Sequence, residues 1–238
     1  MQTHVLVAPV FQTNCVVVAA GDGAAGADAV IVDAGGAVAP AVRALIAERG
    51  YVVRAVLATH GHADHTWDAA ALCAEYGAAF HLHSRDEYRL ADPLGTLGLG
   101  GHLLAEMVAS GLRQNLAAVG LDLDGYRIPA PVRAFEDGAV LEFGGLRLTA
   151  ISAPGHTEGS TLYACQDGAE PTGRVLLTGD VLFAGGIGRT DLPGGDPAAM
   201  AATLRDVAGS LDPRLPVIPG HGPSTTIGRE LAGNPYLG

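Results

Sequence analysis

Residues 57–66 read LATHGHADHT, so three histidines and one aspartate fall within the six positions from His60 to His65. The apolar residues before them predict a strand that ends where these side chains begin. His60 and His62 are two residues apart and can share a face of an extended segment, whereas Asp64 and His65 are adjacent and must diverge. The spacing predicts two neighbouring sites, one with His60 and His62 and the other with Asp64 and His65.

Three later loops have the same construction, since each follows an apolar strand and carries a histidine or an aspartate next to glycine. They are SAPGHTEGS with His156, LLTGDVLF with Asp180 and VIPGHGPS with His221. Glycine allows the backbone to approach an ion closely. Imidazole and carboxylate ligands suit zinc, iron or manganese, and the absence of cysteine ligands argues against a structural thiolate site. The four stretches together predict a metal centre; the histidines that lack such a motif are predicted bystanders, namely His4, His81, His83 and His102.

The composition is that of an acidic globular protein. Hydrophobic residues make up 48% of the 238 positions, which is enough to bury a sizeable core. All 14 basic residues are arginines, against 25 acidic residues, and the net charge of -11 argues against a nucleic-acid partner or a membrane surface. No apolar run approaches the roughly 20 residues of a spanning helix, and the N-terminus does not resemble a signal peptide, so we expect a cytoplasmic protein. An odd number of cysteines without C-x-x-C spacing predicts buried thiols at Cys15, Cys73 and Cys165.

The order of elements predicts an α/β fold in which strands and helices alternate first and strands dominate later. Helices are predicted at 37–50, closed by Gly50, at 66–77, closed by Gly77, and also at 102–120 and 196–211. Strands are predicted at 3–10, 15–20, 29–35, 53–59, 79–84, 139–143, 146–153, 161–166, 174–180 and 215–220. This order fits two packed sheets with helices outside, in one domain over 1–238. Residues 91–130 fit the pattern less well and are predicted to form a lid or a contact between copies in a homo-oligomer.

The ordered set H-x-H-x-D-H, His, Asp and His resembles the metallo-β-lactamase superfamily. The stretches LFAGGIGRTDLPGGD and GHGPSTTIGRELAGNPYL resemble its hydroxyacylglutathione hydrolase (glyoxalase II-like) branch, in the short bacterial form. The resemblance implies an αββα sandwich with two divalent metal ions, zinc or alternatively iron or manganese, at one edge. It further implies that His60, His62 and His156 hold one ion, that Asp64, His65 and His221 hold the second, and that Asp180 bridges them. Asp64 and Asp180 would then offset the charge of the catalytic ions.

The function that this resemblance implies is hydrolysis of a small-molecule thioester, an S-hydroxyacyl conjugate of a small thiol. Two cations lower the pKa of a shared water toward about 7 and polarise the carbonyl, and a thiolate leaves without a strong general acid. Arg189 is the predicted substrate contact, unless it only pairs with Asp191. Longer relatives carry a basic C-terminal extension that binds glutathione, whereas this sequence ends soon after NPYL. This difference argues against glutathione, and the use of Ala, Gly and Arg without Lys, which is typical of GC-rich genomes, makes mycothiol an alternative thiol.

Three other functions stay open on the sequence. A persulfide dioxygenase of the same superfamily would use one iron on the counterparts of His60, His156 and Asp180. A lactone or other ester hydrolase would use the same two ions, because such a centre does not itself select the acyl group. A non-catalytic metal-binding member would be expected to have lost a ligand, and none is missing here. Metal content and a panel of thioester, lactone and persulfide substrates separate these alternatives.

Overall fold

The computed structural model describes residues 1–93, 96, 103–168, 173–206 and 208–237. Strands from the first half of the chain form a six-stranded sheet whose spatial order equals the chain order. Its members are β1 Gln2–Val7, β2 Asn14–Ala19, β3 Asp28–Val32, β4 Val52–Leu57, β5 Ala79–His83 and β6 Val132–Phe135. The first three strands pair antiparallel, and β3 to β6 pair parallel. Parallel neighbours need crossover connections, which are provided by α1 Ala39–Arg49 and then by α2 Ala63–Thr66 and α3 Ala69–Tyr76.

The helix between β5 and β6 in the chain is α4, Leu103–Ala118, which lies inside the predicted insertion. Strands from the second half form another six-stranded sheet. They are β7 Val140–Phe143, β8 Leu146–Ser152, β9 Thr161–Asp167, β10 Val175–Gly179, β13 Pro216–Pro219 and β14 Thr225–Thr226, in the spatial order β14-β13-β10-β9-β8-β7. Only β10 and β13 of this sheet pair parallel. The other strands and α-helices of the described residues are the hairpin of β11 Leu182–Phe183 and β12 Gly186–Ile187, and the helices α5 Pro197–Asp206 and α6 Ile227–Gly233. Short 3-10 helices lie at Ser84–Leu90, Leu123–Gly125 and Ala208–Ser210.

Three apolar clusters show that the two sheets pack face to face with helices outside. Residues of both sheets, such as Val18 and Leu148, share the central cluster. The outer face of the first sheet packs against α1 and α3, through residues such as Val42 and Leu72. The outer face of the second sheet packs against α5 and α6, through residues such as Leu204. The prediction of an αββα sandwich is therefore confirmed.

Two helix ends follow the predicted glycines. Gly50 and Gly77 adopt left-handed backbone, with φ of 67° and 63°, and end α1 and α3. The predicted helix over 66–77 is present as α3, but it begins at Ala69, three residues later than predicted, because Thr66 ends the separate helix α2. Asp68 lies at this break, where its backbone N–H donates to the Ala34 carbonyl and its carboxylate accepts from the Ala39 N–H.

Several short elements were not predicted, because a segment of two to seven residues carries too little periodicity to stand out. They are β6, β11, β12, β14 and α6. The cysteine prediction is confirmed, since all three thiols are free and buried. Within the described ranges, no helix combines the length and the apolar character that crossing a bilayer requires. His102 lies outside the described residues.

Candidate metal centre

The predicted ligands come from strand ends that meet at one edge of the sandwich. Because β10 and β13 run parallel, their carboxyl ends place Asp180 and His221 side by side. In the opening motif, His62 is still extended, with φ −69° and ψ 149°, and α2 begins at the next residue. This change from extended to helical backbone separates the directions of the two residue pairs, as the spacing predicted.

Three imidazoles form one tight group, called the histidine group below: His60, His62 and His156. The Nδ1 atom of His62 lies 3.0 Å from His60 Nε2 and 2.9 Å from His156 Nε2. All three side chains are buried. Their nitrogens are close enough to surround a single ion.

A second group, called the mixed group below, consists of Asp64, His65 and His221. Asp64 Oδ2 lies 3.7 Å from His65 Nε2 and 3.5 Å from His221 Nε2, and the two imidazole nitrogens are 3.3 Å apart. The three candidate ligand atoms all lie within 4.8 Å of one another. The group is therefore compact enough for a second ion.

Asp180 lies between the two groups. Its Oδ1 atom is 3.4 Å from His65 Nε2, and its Oδ2 atom is 3.7 Å from His156 Nε2 and 3.5 Å from His221 Nε2. One carboxylate thus approaches both the histidine group and the mixed group, which is the position that a bridging ligand needs. The structure brings all seven predicted ligands together, and their roles in binding metal stay a prediction.

In two of the histidines, the ring nitrogen that points away from the other ligands, called the outer nitrogen below, faces a backbone carbonyl. His156 Nδ1 lies 2.7 Å from the Arg189 carbonyl, and His221 Nδ1 lies 3.0 Å from the Phe11 carbonyl. A carbonyl only accepts hydrogen bonds, so each Nδ1 must carry the proton and donate it. In the neutral ring, Nε2 then presents a lone pair toward the centre.

The outer nitrogens of His65 and His60 also face acceptors. The Asp33 carboxylate lies 3.1 Å from His65 Nδ1 and favours a proton on that nitrogen by its charge, although the two atoms do not form a hydrogen bond. The Thr59 hydroxyl donates to Asp33 at 2.9 Å and therefore accepts from His60 Nδ1 at 3.1 Å. Nitrogen-bound protons fixed in this way orient metal-binding histidines, with the inner nitrogen free to coordinate.

When the rings are neutral, as metal binding requires, four inner nitrogens with lone pairs face one another together with the carboxylates of Asp64 and Asp180. No hydrogen bonds within such a set can satisfy all of it, because lone pairs outnumber donors. Asp180 Oδ1 is buried and has no hydrogen-bond partner among the described residues. Nitrogen and oxygen ligands in this number suit zinc, iron or manganese. The residues present therefore fit two divalent ions.

The residues of the centre differ in charge: some imidazoles are held neutral, and other residues form ion pairs. Burial, together with neighbouring histidines, holds the pKa of His60 and His62 well below its usual range. Burial also opposes the charge on His221, yet the carboxylates of Asp180 and Asp64 outweigh it and raise its pKa to about 10. For Asp64, the attraction of His65 and His221 outweighs burial and lowers the pKa to about 2. Without a cation the carboxylates keep protons on nearby imidazoles, and a divalent ion would replace those protons.

A glycine next to a ligand lets its neighbours pack against the bare backbone, as the sequence predicted. A Cβ atom placed on Gly220 would collide with the Asp180 carboxylate and lie 2.8 Å from His65 Cε1. Gly220 also donates its N–H to the Gly179 carbonyl at 2.8 Å, which ties the ends of β10 and β13 together. Any side chain at position 220 would therefore push Asp180 or His65 out of place.

Two buried aspartates that support the ligands were missed by sequence reasoning. Asp33 accepts from the Thr59 N–H and hydroxyl and faces His65, and its φ of 59° is unusual for a residue other than glycine. Asp86 accepts from the N–H groups of Gly61 and Gly159, which flank the histidine group in the chain. Neither aspartate belongs to a motif of spaced ligands, so nothing in the local sequence distinguishes them from surface acids.

The predicted substrate contact and the predicted bystanders lie in different places. Arg189 lines a cleft of about 440 Å³ that opens onto the ligands, and its guanidinium also forms two hydrogen bonds with Asp191, at 2.7 and 2.9 Å. His4 contacts the Tyr51 hydroxyl, His81 makes an edge-to-face contact with the ring of Phe143, and His83 contacts the Asp137 carboxylate. These three histidines lie outside the ligand groups, and the binding role of Arg189 stays a prediction.

A sequence model described as the metallo-beta-lactamase superfamily matches residues 8–221, a range that contains both ligand groups and Asp180. The chain belongs to the metallo-beta-lactamase superfamily. The family resemblance noted in the sequence is thereby confirmed, and the prediction of a metal-dependent hydrolase agrees with membership of this superfamily.

Relatives within the superfamily include proteins of different description. A protein of Mycobacterium tuberculosis described as uncharacterized protein Rv2581c is 35% identical over 224 residues, which cover 94% of this chain and 92% of that protein. Hydroxyacylglutathione hydrolase GloC of Haemophilus influenzae is 30% identical over 239 residues, covering 100% and 98%. Among solved structures, TTHA1623 in a di-iron-bound form is 32% identical, with a TM-score of 0.71 and full coverage of both chains. The homologues are consistent with the glyoxalase II-like branch.

Proposed function

We propose that the protein is a two-metal hydrolase that cleaves small-molecule thioesters, in the manner of a glyoxalase II. The observation that carries the proposal is the position of Asp180, whose two oxygens approach members of both the histidine group and the mixed group. A centre for one metal would not need a carboxylate between two complete sets of three ligands. When bound, the two ions supply a nucleophile from water at neutral pH and positive charge for the carbonyl oxygen.

The side chains of the centre have separate tasks in this proposal. Asp64 and Asp180 contribute two negative charges, which leave the centre with enough positive charge to attract a carbonyl oxygen. The Arg189 carbonyl and the Phe11 carbonyl hold the rings of His156 and His221 by their Nδ1–H groups. These bonds keep the inner nitrogens oriented before substrate arrives, so no ligand has to reorganise during the reaction.

Support for a thioester comes from two sources. A thiolate is a good leaving group, so a site composed mainly of metal ligands needs no strong acid to protonate it. The relative from Haemophilus influenzae carries the name hydroxyacylglutathione hydrolase, and its match extends over the whole chain. A cleft of about 440 Å³ also suits a small molecule rather than a macromolecule.

The test is to measure metal per chain and hydrolysis on the same preparation. We expect about two equivalents of zinc, iron or manganese, and turnover of S-lactoyl thioesters that is lost with a chelator and restored by metal. One tightly held iron with oxygen consumption on a persulfide would instead assign the protein to the dioxygenases. Turnover of lactones or oxygen esters with none of thioesters would retain the two-metal hydrolase and change its substrate.

A further inference from the structure

The cleft that opens onto the metal ligands has a largely apolar wall. Besides the ligand residues and Arg189, its lining consists of Phe11, Ala63, Met107, Gly111, Leu112 and Leu192. Leu112 belongs to α4 and is buried against Ala63, Leu192 and the ring of Trp67. Because this wall and the ligands line the same cleft, a group that contacts the wall must be part of the molecule whose carbonyl reacts.

Apart from the metal centre, the cleft offers little charge to bind a highly anionic substrate. Within the described part of the chain, Arg189 is the one arginine among the lining residues, and Asp191 already binds it through two hydrogen bonds. The net charge of -11 adds a repulsive field for anions approaching from solution.

Phe11 has a backbone conformation that is costly for its residue type. Its φ is 56°, and that of Gln12 is 59°, in the left-handed region that bulky side chains rarely adopt. In this conformation the Phe11 carbonyl accepts from His221 Nδ1 while the ring lines the cleft. Strained residues of this kind persist where the surrounding structure requires them, often at binding sites. One residue thus connects the orientation of a ligand with the apolar wall.

Gly111 keeps space open beside that ring. It lies inside α4, where glycine is less favourable than alanine. A Cβ atom at position 111 would lie 3.7 Å from two atoms of the Phe11 ring, and a longer side chain would extend further into the cleft. Met107, one helical turn earlier, also lines the cleft. One methyl group would therefore fill the space between α4 and Phe11, whereas the cleft that both residues line stays open as long as position 111 carries no long side chain.

We propose that the part of the cleft lined by Phe11, Met107 and the bare backbone of Gly111 is a subsite for an apolar substituent of the substrate, so that the preferred thioesters carry a bulky apolar group beside the scissile bond. This proposal rests on the proposed function for the reaction type. The substituent can belong to the 2-hydroxyacyl group or to the thiol, and both would contact the wall through the same apolar chemistry. A 2-hydroxyacyl group with a phenyl substituent, such as mandeloyl, fits the wall better than lactoyl.

The experiment compares four thioesters on the metal-loaded protein. Lactoyl and mandeloyl thioesters of N-acetylcysteamine vary the acyl group, and lactoyl thioesters of benzyl mercaptan and glutathione vary the thiol. In one of the two pairs, we expect kcat/KM to be about tenfold or more higher for the mandeloyl or the benzyl mercaptan thioester than for its less apolar partner. The pair that shows this difference identifies whether the acyl group or the thiol occupies the subsite. Gly111→Leu should reduce the preference about tenfold, with Gly111→Ala between it and wild type. Ser110→Leu is the matched control, because Ser110 is exposed on the same helix and does not line the cleft.

A binding measurement separates this proposal from the reaction type. Trp67 is the single tryptophan and packs behind the cleft, so its fluorescence reports binding of the product analogues mandelate and lactate. Tighter binding of mandelate that Gly111→Leu abolishes, with no turnover of any thioester, would retain the subsite and refute the thioesterase. Equal binding of the two acids together with a faster benzyl mercaptan thioester would assign the substituent to the thiol. Equal rates on all four thioesters, or a preference for the glutathione conjugate, would overturn the subsite.

Discussion

Asp86 offers a direct test of how the fold holds the histidine group. Its carboxylate is fully buried and accepts from the Gly61 N–H at 2.8 Å and from the Gly159 N–H at 2.9 Å. The Thr157 hydroxyl at 2.8 Å and Arg89 Nε at 3.2 Å complete its contacts. Through these bonds one side chain joins the loop of the opening motif to the loop that carries the third histidine of the group.

The loss of unfolding free energy in Asp86→Ala can be worked out from the buried groups that lose their hydrogen-bond partner. Two buried N–H groups lose their acceptor, at about 1–3 kcal/mol each. Arg89, whose side chain is also buried, keeps Glu158 and the Pro193 carbonyl but loses a carboxylate. Breaking a buried pair in this way costs about 3–5 kcal/mol in unfolding free energy. At about 2–4 °C per kcal/mol for a chain of this size, the melting temperature should fall by about 6 to 20 °C.

The assay is urea denaturation and thermal melting of wild type, Asp86→Ala and Asp86→Asn, with excess chelator and again with saturating zinc, since bound metal stabilises the folded state. Asp86→Asn keeps the shape of the side chain and one accepting oxygen, so its free energy of unfolding should fall by about half as much as that of Asp86→Ala. Asp206→Ala serves as control, because Asp206 is exposed and pairs with the neighbouring Arg205. A loss below about 1 kcal/mol for Asp86→Ala would show that water or other groups satisfy these donors, and the reasoning would be refuted.

Three further predictions follow from the site and its surroundings. Asp180→Ala removes the carboxylate between the two ligand groups, so metal content measured by elemental analysis should fall from about two equivalents to one or none; full retention would remove Asp180 from the ligand set. Arg189→Ala keeps the backbone carbonyl that accepts from a ligand, so it should raise KM with metal content intact, and an unchanged KM would limit Arg189 to its pair with Asp191. Burial opposes ionisation of Glu230, but hydrogen bonds from its neighbours outweigh burial and lower its pKa below 4.5. Its stabilising contribution is therefore present above that pH and lost as pH falls through the lower folded-state value. The difference in urea midpoint between wild type and Glu230→Gln should shrink below about pH 4; a difference that grows in acid would contradict this sign.

The sequence alone determined the order of the main strands and helices, because hydrophobic periodicity and helix-ending glycines such as Gly50 and Gly77 are local signals. The family resemblance of the motifs also indicated which side chains meet. Asp180 and His221 each follow an apolar strand, and the carboxyl ends of β10 and β13 lie together because these neighbours run parallel. His60 follows β4 of the other sheet, so its approach to them depends on how the two sheets pack. Short elements such as β14 and α6 escaped detection, since their few residues depend on longer partners for their conformation.

Tertiary structure alone decided how the ligands are held and what the cleft admits. Asp33 and Asp86 have no sequence pattern, because their roles arise only when distant backbone N–H groups and hydroxyls converge on a buried carboxylate. The facing pair of Phe11 and Gly111 is one hundred positions apart in the chain. Spacing within a segment can encode contacts a few residues away, whereas contacts between segments depend on how whole sheets and helices pack, and only the folded chain specifies them.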